Sequence, residues 1–299
     1  MDTPPITVFW QGAIAHALLA VSRRGTVAGV TSRGVFINLE SGWILFLSFE
    51  PTRGPLSLNL SGGEAILAEA EVGGTVKIQG GKIQGLADGV EIDFSRAETW
   101  EAPSRSATWL APGGRARSLK AVAELVLSQR SEPGLYLILQ DLLGSESGAP
   151  KSPPKPFERL DSARLLQVLK TPSLDAILSA VTPLLGLGNG LTPAGDDLVL
   201  GLLLAYCRWG VVLRPAFDLP ALSDSLNRAA FQKTTRLSAN LIACASHGQA
   251  DERLVDALDG IMTGHLTPDE CARNLCMWGH SSGCETLAGM ALAILAAPQ

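Results

Sequence analysis

The sequence predicts an α+β protein: a β-rich N-terminal half, built as a small antiparallel sheet or partial barrel, followed by a helical C-terminal half. Three observations carry this. Between residues 25 and 100, short runs rich in Val, Ile, Leu and Phe are broken by glycine pairs, the mark of strands and tight turns. Beyond residue 157, apolar residues recur at helical spacing in one segment after another. Between the two lies 144–156, with SESGAPKSPPKP at its centre. Its prolines, serines and lysines cannot form a core and read as a linker. Two domains follow, a β-rich one over 1–143 with flanking helices and a helical one over 157–299.

In order, residues 9–22 (FWQGAIAHALLAVS) carry a helical apolar pattern and read as a first helix. His16 inside it reads as a packed or surface residue, not a ligand. The runs VAGVTSRGVFINL, WILFLSF, LSLNL, VGGTVKIQGGKIQG and GVEIDFS follow as strands. Alternation over 76–79 and 90–94 marks half-buried strands, and Gly80-Gly81 a hairpin turn. Thr31-Ser32-Arg33-Gly34 reads as a solvated turn. Residues 119–129 form an amphipathic helix and 134–143 a further apolar segment. Helices are then expected over 160–169, 174–181, 219–231, 234–245, 252–263, 268–277 and 285–297.

With 299 residues and 46% hydrophobic content, the chain can bury a sizeable core. A net charge of −5 argues against nucleic acid or an anionic membrane as main partner. The apolar runs are too short to span a bilayer, and the opening MDTPPITVFW lacks the basic region of a signal peptide; the expected compartment is the cytoplasm. The five cysteines, Cys207, Cys244, Cys271, Cys276 and Cys284, are odd in number and include no CxxC pair. They signal neither a disulfide framework nor a zinc site and read as buried small hydrophobes.

The chemistry concentrates at 186–205, GLGNGLTPAGDDLVLGLLLA. Gly186, Gly188 and Gly190 make a loop, Thr192 is an expected N-cap, and Pro193 suits the first turn of a helix. The loop has no Lys to follow it as in a P-loop, and it follows a helix, which excludes a dinucleotide fingerprint. What remains is a backbone anion site at Gly188, Asn189, Gly190 and Thr192. Asp196 and Asp197 stand beside it as acid and base, or as ligands of a divalent cation such as Mg²⁺. A capped helix with first-turn acids is the simpler alternative, but it gives no role to the glycines.

Two further elements join this stretch. In FQKTTRLSAN, Thr234 and Ser238 lie one helical turn apart, with Lys233 and Arg236 flanking, a set suited to phosphate or carboxylate. In WGHSSGCE, His280 is the best-placed proton-transfer group, Ser281 and Ser282 are binding or capping hydroxyls, and Cys284 is either a nucleophile at a helix start or a buried thiol. Residues 281–293 also echo 193–205: a loop glycine, an acid two residues on, then a glycine inside the helix. Helical glycine costs up to about 1 kcal/mol relative to alanine, so close helix packing is the expected reason. The echo places the helices after Gly195 and Gly283 together, start beside start.

At these three elements, GLGNGLTPAGDDLVLG (186–201), TTRLSANLI (234–242) and GHSSGCETLAGM (279–290), the sequence resembles a bacterial family that includes the AllH-type subunit of oxamate carbamoyltransferase, from anaerobic allantoin degradation. The likeness covers roughly the last half of the chain. It implies carbamoyl transfer between carbamoyl phosphate and oxamate, carried out with other enzyme subunits. Roles for Asp196, Asp197 and His280 come from chemistry alone. Two alternatives stay open: a metal-dependent hydrolase or kinase-like enzyme using the aspartate pair, and a non-catalytic ligand-binding or scaffold subunit.

Overall fold

A computed structural model describes residues 5–129, 134–144 and 160–298. By its internal contacts the chain divides into two units, Met1–Pro103 and Ser104–Gln299. Most of the expected linker, from residue 145 on, lies outside the described residues.

The first unit contains β1 (Ile6–Gly12), α1 (Ala13–Val21), β2 (Arg24–Thr31), β3 (Gly34–Leu39), β4 (Ile44–Ser48), β5 (Ser57–Leu60), the single turn α2 (Glu64–Leu67), β6 (Thr75–Gln79), β7 (Lys82–Gln84), β8 (Glu91–Asp93) and β9 (Glu98–Trp100). Its strands run β5-β4-β3-β2-β6-β7-β8-β1, and β1 pairs again with β5, so eight strands close on themselves. β9 adds to β1 beyond β8: Ile6 and Thr7 face Ile92 and Asp93, while Trp10 and Gln11 face Glu98 and Thr99.

This corrects the expected sheet in two respects. The barrel is closed, and it is mixed, because β1 runs parallel to β8 and β9, and β4 parallel to β5. Closure and the parallel pairs with β8 and β9 come from β1, whose residues 9–12 were expected to begin a helix. ITVFW is β-branched and aromatic, with Ile6 and Val8 buried and Thr7 and Phe9 exposed; that is strand periodicity. The helix starts only after Gly12. Inside, Val35, Ile37 and Leu39 of β3 meet Leu45 and Leu47 of β4, with Val76, Ile78, Ile83 and Ile92 completing the core. Gly80 and Gly81, both at positive φ, form the expected two-residue turn between β6 and β7. The Thr31–Gly34 turn is closed by Thr31 Oγ1 donating to the Gly34 carbonyl, and Arg33 pairs with Glu50 at 3.4 Å.

The second unit contains α3 (Pro112–Ser128), a 3₁₀ turn (Leu135–Leu137) leading into α4 (Ile138–Leu143), α5 (Ser162–Leu169), α6 (Leu174–Val181), a 3₁₀ turn (Thr182–Leu184), α7 (Ala194–Leu213), α8 (Leu219–Lys233), α9 (Arg236–Ala245), α10 (Glu252–Thr263), α11 (Pro268–Met277) and α12 (Ser282–Ala296). α3 and α4, expected with the β-rich half, pack here: α3 lies on α11 and α10, and α4 on α5 and α12. Leu119, Val122, Ala123 and Val126 supply the buried face of α3.

α7 and α12 form the axis of this unit. Apart from the polar residues of their first turns and Arg208, both are apolar on all sides, with residues 195–206 and 283–294 buried without a break, as expected of helices enclosed by other helices. α9 and α8 cover α7, while α5, α3, α4 and α11 cover α12. Among the described residues no helix is long and apolar enough to cross a membrane.

Candidate functional site

The two axial helices begin side by side. Thr192, in the loop before α7, places its Oγ1 3.0 Å from Oγ of Ser282, the first residue of α12. The convergence expected from the sequence echo is therefore present. Close approach of the helices depends on their glycines. A Cβ on Gly201 would fall 1.9 Å from the Thr286 carbonyl oxygen, and one on Gly289 would fall 1.9 Å from that of Leu198.

Thr192 was expected to cap α7, but Pro193 occupies that position and offers no side-chain hydrogen bond. Thr192 faces α12 instead. The loop glycines then fold the chain over its own helix start. Gly186, at φ 78°, lies so close to Lys233 that a Cβ would be 2.5 Å from the Lys233 carbonyl oxygen. Gly188, at φ 121°, would place a Cβ 2.8 Å from the Ala194 backbone nitrogen. Gly190 has open space around it. The first amides of α7 are already used: Gly195 N–H donates to the Leu187 carbonyl, and those of Asp196 and Asp197 to Pro193.

Asp196 fastens three segments together. Its Oδ1 accepts the Gly186 N–H at 2.7 Å and its Oδ2 accepts a short hydrogen bond from Thr234. Burial raises its pKa; the hydrogen bonds from Thr234, Gly186 and Ser238 work against that rise. Thr234 precedes α9 and does not lie on it; Thr235 caps α9. Thr234 and Ser238 nevertheless both reach Asp196. Thr235 Oγ1 also donates to the Leu191 carbonyl at 2.6 Å, tying the glycine loop to α9. The charged ends flanking this pair, Lys233 and Arg236, are exposed.

Asp197 has a different environment. It is 2% exposed, and burial pushes its carboxyl well above the usual carboxylate range. The nearby carboxylates of Glu285 and Asp196 raise it further, while the hydroxyls of Ser282 and Thr192 oppose the shift. A carboxyl in such a place is held toward its protonated form. Glu285 occupies, in the echo, the position of Asp197. Of the residues that matter here, Thr286 gave no signal in the sequence: its Oγ1 donates to the Ser282 carbonyl and helps fix that first turn.

His280 is exposed, and Ser281 is half-buried at the N-cap of α12. The loop before His280 is firmly held. Arg253 donates to the Met277 carbonyl at 3.0 Å, lies 5.2 Å over the Trp278 ring, and is itself fixed by Asp251. Cys284 is fully buried.

The donor set fits Mg²⁺ poorly. Both oxygens of Asp196 already accept hydrogen bonds, from Gly186 and Thr234. No group of three or more His, Cys, Asp or Glu side chains that could hold a metal ion occurs among the described residues.

Residues 184–294 match the family model described as oxamate carbamoyltransferase subunit AllH. That span contains the glycine loop, the Thr234–Ser238 segment and the start of α12, and it supports the resemblance read from the three motifs. No curated protein and no solved structure matches the chain.

Proposed function

We propose that the chain is a subunit of a carbamoyltransferase-like enzyme acting on a small anionic substrate of the carbamoyl phosphate or oxamate class, with its site where α7 and α12 begin. The observation that carries this is the meeting of Thr192 and Ser282 beside the buried Asp197, inside the span that matches the family model.

In this reading Asp197, held toward its neutral form by burial, is a proton donor, and Ser282 and Thr192 donate to its carboxyl group and fix its orientation. Proton donation to a carbonyl or leaving oxygen in the transition state is the usual work of such a group. His280 is the partner on the open side, exchanging protons with solvent. The exposed Lys233 and Arg236 neutralise the phosphate or carboxylate, and the backbone at Gly188, Asn189 and Gly190 contributes N–H donors. Asp196 positions the loop and does not itself react. Ser281 lies beside the substrate path at the N-cap of α12.

One observation favours a second reading, a non-catalytic ligand-binding or scaffold subunit. The first-turn amides of α7 are satisfied by Leu187 and Pro193 and are not offered to an anion. Turnover of carbamoyl phosphate with oxamate by the assembled enzyme, compared between wild type, Asp197→Asn and His280→Ala, separates the two. The proposal expects loss of turnover of about 10²-fold or more in each folded variant. Full activity in both variants supports the scaffold.

A further inference from the structure

Glu285 is a buried titratable group to which the proposed reaction gives no part. It is 1% exposed, and Asp197 is 2% exposed. Their placement follows from the interlocked glycines of α7 and α12. Asp197 lies one helical turn before Gly201, and Glu285 one turn before Gly289, so each carboxyl shares a face of its helix with the glycine that follows it. Those glycines mark the crossing: a Cβ on either would fall 1.9 Å from a carbonyl oxygen of the other helix. Helical side chains lean toward the N-terminus, and both helices start on the same side of the crossing, where Thr192 meets Ser282. Asp197 and Glu285 therefore project into one enclosed space ahead of it. Contact across that space is already made, since the hydroxyl of Ser282, one turn before Glu285, hydrogen-bonds Asp197.

The surrounding charges are engaged elsewhere. Asp196 accepts from Gly186 and Thr234. Among the described residues, the Lys and Arg side chains of α7 and of the helices packed on α7 and α12 are exposed apart from three. Arg208 pairs with Asp259 at 2.6 Å, and Arg253 with Asp251 at 2.8 Å. Arg115 of α3 is lowered by burial alone, with no carboxylate acting on it. Two carboxylates ahead of the crossing would repel each other without water to screen them, whereas a single charge is stabilised by the hydroxyls of Ser282 and Thr192.

We infer that Asp197 and Glu285 form a carboxyl–carboxylate pair holding one proton between them, with Glu285 as the residue that positions this proton at Asp197. The pair carries one negative charge before reaction. When Asp197 gives its proton to a substrate oxygen, two charges remain, and their repulsion draws a proton back from solvent. The pair rests on helix packing; its use in turnover rests on the reading proposed above.

Carboxyl ¹³C NMR of the folded full chain, labelled at aspartate Cγ or glutamate Cδ, tests the pair without any substrate. The Asp197 signal is identified by its loss in Asp197→Asn. Glu285→Gln, which keeps size and polarity, should lower the upper Asp197 midpoint by about one pH unit or more, the coupling expected of two carboxyls sharing a site. Asp197→Asn should lower the upper Glu285 midpoint likewise, and it reads the pair if Glu285→Gln does not fold. An Asp197 midpoint unchanged in Glu285→Gln, or a Glu285 midpoint unchanged in Asp197→Asn, would overturn the pair. In the assembled enzyme, Glu285→Gln should move the pH–rate limb of Asp197 in the same direction. A limb that stays in place while the NMR midpoint moves keeps the pair and removes Asp197 from the reaction.

Discussion

Gly201 of α7 packs against the backbone carbonyl of Thr286 in α12, and the reverse contact, Gly289 against the carbonyl of Leu198, repeats it with the roles of the helices exchanged. In the echo between the two stretches, Gly201 corresponds to Gly289 and Leu198 to Thr286. The two helices are thus related by a local pseudo-two-fold at their crossing, and each glycine makes room for the other helix's backbone. The same relation sets Asp197 opposite Glu285 and brings the two helix starts together.

Gly201→Ala and Gly289→Ala should therefore each destabilise the helical unit, despite alanine's helix preference of up to about 1 kcal/mol. A Cβ placed 1.9 Å from a carbonyl oxygen forces the helices apart, and overpacking of this kind costs about 1–3 kcal/mol or more. Denaturant titration followed by far-UV circular dichroism measures the loss. Wild-type stability in both variants would mean that the helices do not cross at these glycines.

Asp197 predicts the sign of a pH effect. Burial raises its folded pKa above the unfolded value, so the folded state holds a proton that the unfolded chain releases. Its contribution is most favourable below the unfolded pKa and declines as pH rises from there toward the raised folded value. Asp197→Asn keeps the shape and removes the titration. The variant should lose stability less steeply than wild type as pH rises above about 4, while losing activity. Thermal melts from pH 4 to 8 measure the slope; parallel curves would show that Asp197 titrates normally.

Asp196 should behave as a structural residue. Asp196→Asn can still accept the Gly186 N–H and meet the Thr234 hydroxyl, so it should fold and keep most of its activity. Asp196→Ala leaves both donors without an acceptor, at roughly 1–3 kcal/mol each, and should loosen the loop from Gly186 to Thr192. Hydrogen exchange at the Gly186 amide reads this directly, with faster exchange in the alanine variant than in the asparagine one.

Much of this arrangement was legible in the sequence where local signals agree. The helices α6, α10 and α11 span the residues over which periodicity placed them, and Ser173, Asp251 and Thr267 cap them in the structure. The pairing of the two helix starts was legible because a glycine inside an apolar helix needs a neighbour to explain it. What escaped was long-range. β1 reads locally as the approach to a helix, and only its partners β5, β8 and β9 make it the strand that closes the barrel. Thr192 carries a capping preference, but Ser282, ninety residues away, takes its hydroxyl. Asp196 and Asp197 are neighbours of one type, and nothing in their order tells that one is bound by an amide and two hydroxyls while the other faces a second carboxylate.

Cys284 provides the last test, because its position at the start of α12 suits an activated thiolate while its burial argues the reverse. It is fully buried beside Gly283, its backbone N–H donates to the Ser281 carbonyl, and the buried Glu285 and Thr286 follow it. Cys244 and Cys271 are buried in the same unit, and burial raises both thiols, Cys271 to about 12. Cys207 and Cys276 are half-buried. Alkylation of the folded chain should therefore modify Cys276 and Cys207 first and spare Cys284 until unfolding, and Cys284→Ala should retain turnover in the assembled enzyme. Mass spectrometry of tryptic peptides after brief iodoacetamide treatment gives the order of labelling. Rapid labelling of Cys284 together with loss of turnover in Cys284→Ala would replace the proposed role of Asp197 with one for the thiol near the start of α12.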